Sequence, residues 1–191
     1  MKPETRNPKP HEPLNLRNMK KSDVPRNPNY FDTYINKVED IELDVALQQS
    51  LVELDALDMA ALRRLGDQVY APGKWTVRDI IQHITDCERV FCYRALSVGR
   101  GDTPKLPGFD ENTYAVNAGA NSRSLEEVIA ELRLVRQGSI ALFRTFDEAA
   151  LRRMGVMFNY ELPVLAIGFI LAGHQRHHFG VIQERYLPLI Q

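Results

Sequence analysis

Three of the five histidines in this chain stand within five positions, at His174, His177 and His178. On a helix, His174 and His178 point about 40° apart and lie roughly one turn apart along the axis, so their imidazoles can grip one metal ion. His177 lies about 60° from His174 on the other side, so spacing alone equally allows a His174 and His177 pair. Taken alone, a His-x-x-x-His step belongs more often to solvated surface or to hydrogen-bonded core. A further histidine in another apolar helix, His83, changes the balance. Together with His174 and His178 it completes three nitrogen donors, the number used by catalytic zinc sites that keep a position open for water or substrate.

Such an ion supports two kinds of chemistry. It can acidify a water for hydrolysis, or it can hold a low-molecular-weight thiol as thiolate and deliver the sulfur to an electrophile. Asp86, Glu88 and His177 are the candidates for proton handling or for orienting an imidazole, although solvated helix charge is the simpler reading of both acids. Cys87, one turn from His83, is either a fourth, closing ligand or a small buried apolar group, and the second reading is preferred. A non-catalytic alternative also stands, in which a metal only stabilises the bundle or the protein presents a partner-binding face.

The elements that must position these groups are helical. Leu43, Leu47, Leu51 and Leu54 recur at helical intervals in a helix expected from Asp40 to about Leu57, with a short turn over 58–65. Trp75 precedes Thr76, an N-cap with Asp79 at the third position, and a helix follows from Val77 to the Gly99-Arg100-Gly101 stop. His83 sits in its second stripe with Ile80, Cys87, Val90 and Arg94. A long connection over 100–123 can traverse a bundle, so the helices it joins need not be antiparallel neighbours. Ser124 and Glu127 form a second capping box and open a helix to Phe146. A turn over 147–154 and an extended or hairpin-like link over 155–162 lead to the closing helix, with Pro163 in its first turn. Four helical segments without a sustained strand pattern indicate an all-α four-helix bundle. Phe109, Tyr114, Phe158 and Tyr160 are expected to wall a pocket or to join the core.

Composition narrows the function classes. At 191 residues, 44% apolar and with a net charge of -1, the chain fits one globular domain and offers no electrostatic case for nucleic acid or an anionic membrane. No membrane span or signal peptide is read, and two thiols without a framework suit a cytoplasmic, reducing location. Cys87 and Cys92 lie about 140° apart on one helix and cannot bridge each other there. Residues 1–29 hold six of the eleven prolines and read as a flexible arm ahead of a domain over 30–191; His11 belongs to the arm and is not counted as a ligand. Up to Lys37 the chain carries eight Lys or Arg against four acids, so the arm is basic. A small-molecule substrate and, as the common default for oligomers, a homodimer are the expected partners.

Two stretches carry a family resemblance. Gly73-Lys-Trp-Thr-Val-Arg-Asp-Ile-Ile-Gln-His83 resembles the lead-in to the first metal histidine of the DinB-like (YfiT-like) metal-binding proteins, and Ala172-Gly-His174-Gln-Arg-His177-His178 with Ile182-Gln-Glu-Arg-Tyr186 resembles their closing helix. The resemblance covers roughly residues 30–187. It implies an up-down-down-up bundle, one divalent ion such as zinc or nickel, and ligands at His83, His174 and His178, with His177 beside them. Because similar proteins include thiol-dependent S-transferases, it favours thiol-dependent transfer or detoxification over hydrolysis.

Overall fold

The computed structural model describes residues 19–25, 30–102, 105–157 and 159–191. In chain order the helices are α1 (Asp32–Ile35), α2 (Leu43–Asp55), α3 (Met59–Leu65), α4 (Val77–Gly99), α5 (Glu111–Ala118), α6 (Leu125–Phe143), α7 (Glu148–Arg152) and α8 (Val164–Val181). A hairpin of β1 (Met154–Met157) and β2 (Tyr160–Pro163) joins α7 to α8, with Met157 opposite Tyr160.

Both expected capping boxes start long helices. Thr76 Oγ1 accepts from the Asp79 N–H at 3.1 Å while an Asp79 oxygen accepts from the Thr76 N–H at 2.9 Å. Ser124 and Glu127 do the same for α6. Each box satisfies two N–H groups that the helix cannot pair internally.

The two ends of the core reveal the topology. Val77, Ile81 and Ile84 from the start of α4 cluster with Leu54 from the end of α2, Val128 from the start of α6 and Ile182 just past α8. Phe91, Ala95 and Val98 from the end of α4 cluster with Leu43 from the start of α2, Phe143 from the end of α6 and Leu165 from the start of α8. Hence α4 runs parallel to α6 and antiparallel to α2 and α8, and the four long helices form an up-down-down-up bundle. The connection over 100–123 makes the parallel step possible, and Leu106 pairs with the hairpin through Val156.

Several boundaries differ from the expected ones. Residues 40–42 precede α2 as a bend that ends in an extended Glu42, which bridges Lys20. Pro163 caps α8 instead of entering its first turn. Past Val181 the closing helix loosens into a π-turn over Ile182–Tyr186 and then a 3-10 turn. Most of the expected arm lies outside the described residues, as does Phe158. Where 19–25 is described it packs on the body: Met19 is buried in the core and its carbonyl accepts the Leu43 N–H at 2.9 Å. Packed chain therefore begins ahead of residue 30. Among the described residues no helix is long and apolar enough to cross a membrane.

Candidate metal centre

Because α4 and α8 are antiparallel neighbours, a residue in the first third of α4 lies level with the second half of α8. His83 meets His174 and His178 there. The Nε2 atoms of His83 and His174 are 3.2 Å apart, and those of His178 and His174 3.1 Å. One ligand atom from each of the three histidines falls within 4.8 Å of the others, an arrangement that could hold a metal ion. Two nitrogens at ordinary zinc distances on a tetrahedron stand about 3.4 Å apart, so the two short spacings fit, and a modest closing of the widest would complete the set around an ion. Burial disfavours the charged imidazole and keeps the donors neutral: His83 falls to about 4, His178 to about 3, and His174 well below its ordinary value. A neutral imidazole is the form that ligates.

Neighbouring rings fix the imidazoles. Trp75, directly before the α4 cap, lies against His83 with ring centres 4.8 Å apart, and Tyr34 meets His174 edge-on at 5.0 Å. Gly173 permits that second contact. A Cβ there would stand 2.0 Å from the Tyr34 carbonyl oxygen, so only glycine lets the segment carrying Tyr34 lie against α8 beside His174. The Tyr34 and Tyr30 hydroxyls are 2.8 Å apart, and burial holds the Tyr34 phenol protonated far above its ordinary range.

Above the histidines opens a cavity of about 580 Å³, walled by Phe31, Phe91, Phe109 and Tyr160 and reached also by Arg94 and Glu111. Of the aromatics expected to wall a pocket or join the core, Phe109 and Tyr160 line this cavity, while Tyr114 packs on Phe109 and lines an adjoining one. His177 lines the histidine cavity, half-buried, with its ring centre 4.9 Å from that of His178. Cys87 also lines it, with Sγ 3.6 Å from Nδ1 of His83. Burial pushes this thiol up to about 12, which keeps it a thiol.

The two candidate acids of α4, Asp86 and Glu88, do not line this cavity. Asp86 accepts from Gln82 at 3.0 Å and pairs with Arg89 on another side of the helix. Glu88 is turned into the bundle, where it receives Nε and Nη2 of Arg136 at 2.7 and 2.8 Å and the Ser139 hydroxyl at 2.6 Å. Arg136 also reaches Ser50 and the Leu171 carbonyl, and Gln175 donates to the Ser50 carbonyl at 2.7 Å. This pair fastens α4 to α6 and, through Arg136, to α2 and α8. Its carboxylate is taken up by these contacts and does not line the cavity, so the fold places Glu88 between helices and away from the position expected of a proton-handling group.

Sequence reasoning missed Arg136, Arg94, Tyr34 and Trp75 as parts of this arrangement. A signal existed for the first: Arg136 falls between Leu132 and Ile140 on the apolar stripe of α6, as Glu88 falls between Ile84 and Phe91 near that of α4.

Comparison with known proteins agrees with the geometry. The model of the DinB superfamily matches residues 42–182. A protein of Oceanobacillus iheyensis, provisionally named a metal-dependent hydrolase, is 25% identical over 117 residues, which is 61% of this chain and 67% of that protein. A Geobacillus thermodenitrificans protein with the same provisional name is 25% identical over 154 residues, 78% of this chain and 85% of that one. Among solved structures, YfiT from Bacillus subtilis, described as a probable metal-dependent hydrolase with an unusual four-helix bundle topology, superposes with a TM-score of 0.58. That match has 20% identity and covers 92% of this chain and 98% of YfiT. The chain belongs to the DinB superfamily.

Proposed function

As a DinB-superfamily protein, the chain is, we propose, a metal-dependent hydrolase of small molecules, with His83, His174 and His178 holding one divalent ion, zinc or nickel. The observation that carries this reading is the convergence of three neutral nitrogen donors on the floor of a cavity, from two helices that the bundle holds rigidly. A purely structural site closes its coordination with a fourth protein ligand. Among the described residues the ligand atoms that close on one another are those of the three histidines alone, and Cys87 Sγ lies outside the group, 3.6 Å from His83 Nδ1. The names of the two curated relatives support the same class.

An ion on this donor set supplies Lewis acidity and lowers the pKa of a water towards neutrality. The chain's own residues do the rest. Trp75 and Tyr34 hold the imidazoles in orientation. Aromatic rings line the cavity beside the set, and where a bound substrate displaces water the polar contacts inside strengthen. Tyr34, protonated and linked to Tyr30, can donate a hydrogen bond to a substrate oxygen. His177, half-buried and beside the set without belonging to it, is placed to accept a proton and return it to a leaving group.

Thiol-dependent S-transfer is the second reading, and the donor set is compatible with it. Three neutral ligands leave the whole charge of the ion uncompensated in a buried place, which suits a thiolate as well as it suits an ionised water. Metal analysis of tag-free protein, followed by turnover of aryl esters and amides with and without added thiol, tests both. We expect about one ion per chain and turnover that chelation abolishes and metal restores. Turnover only with thiol would transfer the assignment to S-transfer; no metal after reconstitution with zinc and nickel would overturn both readings.

A further inference from the structure

Arg94 stands eleven positions after His83 on α4, three helical turns along and within about 20° of the same face. It is 4% exposed and lines the histidine cavity. Its guanidinium is clamped between rings, 5.2 Å from the centre of Phe91 and 5.7 Å from that of Phe109. One nitrogen donates to the Pro107 carbonyl at 2.7 Å. A guanidinium carries five N–H donors, so one carbonyl leaves most of them to water or to a ligand in the cavity, and none of its nitrogens is sealed away without a partner.

Buried charge is ordinarily paired, because an uncompensated ion loses hydration that nothing replaces. The other buried arginine of this bundle obeys the rule: Arg136 holds the Glu88 carboxylate with two nitrogens. Arg94 has no ion pair among the described residues. The carboxylate that shares its cavity, Glu111, is exposed at the first position of α5 and does not pair with it. The fold thus spends its rigid aromatic clamp on holding a cation that faces the cavity and lacks an anion.

We propose that Arg94 receives the carboxylate of the substrate, and that this site acts on molecules with an acid at one end, an apolar or aromatic body, and the reacting group at the other. The rise from His83 to Arg94 is about 16 Å between helix positions, shortened because helical side chains lean towards the N-terminus, so Arg94 reaches back towards the histidines. A single guanidinium among apolar walls suits a singly charged planar carboxylate better than a doubly charged phosphate. Glu111 at the mouth repels the same group, so the acid end is favoured deep in the cavity. The inference rests on the open metal position proposed above.

Cobalt-substituted protein tests it by binding alone. The probes are ω-mercapto acids of increasing chain length, each beside its mercapto amide, with sulfur-to-cobalt charge transfer as the readout. In the wild type the acid that spans the cavity is expected to bind about ten- to a hundred-fold more tightly than its amide. Arg94→Gln should erase that preference while keeping the absorption band, and Arg94→Lys should restore part of it. Absence of any thiolate band in the wild type would overturn the open metal position itself. A band with no preference for acid over amide at any length would overturn the role of Arg94 alone, and because it is read in the wild type it holds even should Arg94→Gln fail to fold.

Discussion

The Cα of Gly173 lies against the carbonyl of Tyr34, so close that a methyl group added to it would stand 2.0 Å from the oxygen. This contact seats α1 on α8 one residue before His174. Gly173→Ala is expected to push the Tyr34 segment away, with a loss of about 1–3 kcal/mol from overpacking and weaker metal retention. Thermal melts together with competition against a chelator measure both. Unchanged melting and unchanged metal affinity would show that the segment shifts freely and does not brace the site.

Glu88 and Arg136 are expected to matter for folding and not for chemistry. Removing one partner leaves the other charged and buried, so Glu88→Gln or Arg136→Met alone should cost about 3–5 kcal/mol. The double variant Glu88→Leu with Arg136→Met leaves no orphan charge and should recover most of that stability. Denaturant unfolding of the three variants gives the answer. A double variant no better than the worse single one would mean that the hydrogen bonds to Ser50, Ser139 and Leu171 are worth more than the charge pair itself.

His177 separates ligation from proton transfer. His177→Ala should retain about one ion per chain yet lose roughly a hundredfold or more in kcat, with KM little changed. His83→Ala and His178→Ala should lose the ion itself. Loss of metal from His177→Ala would instead put that ring among the ligands.

Acid should loosen the metal-free protein over a defined window. Well above pH 6.5 the three imidazoles are neutral in folded and unfolded chains alike. As pH falls below that, the unfolded chain takes up protons which the fold refuses until about pH 4 at His83 and about pH 3 at His178. Unfolding is therefore favoured progressively on acidification, and the melting temperature in chelator should fall steadily from pH 7 to pH 5. His83→Gln and His178→Gln should flatten the curve. Equal slopes in wild type and variants would place the acid sensitivity elsewhere.

Much of this architecture is legible in local chemistry. Thr76 with Asp79 and Ser124 with Glu127 announce two helix starts because capping is settled within four residues. Periodicity then places His83 beside core, and the family resemblance points to the same three histidines that the fold brings together. What escapes is anything decided by packing between distant segments. Glu88 reads as a solvated acid until Arg136, 48 positions away, is brought against it by the parallel run of α4 and α6. Arg94 reads as one member of a stripe, and only Phe109, delivered by the crossover, makes it a clamped cation. The aromatic pair Tyr30 and Tyr34 directly follows the proline-rich stretch and gives no local sign that it roofs a histidine 140 positions later in the case of Tyr34 and His174.

The separation of His83 from His174 by 91 positions has a consequence for the lifetime of the fold. An ion shared between them would close a loop containing most of the bundle, as a clasp does, and the unfolded chain could not keep that clasp shut without first meeting its own distant end. Holding the ion and staying folded would then be one equilibrium, with stability growing by about RT ln(1 + [L]/Kd) as free metal rises. Resistance to a protease would track metal availability even where no substrate is present. The cell's metal supply would set the lifetime of the protein as well as its activity.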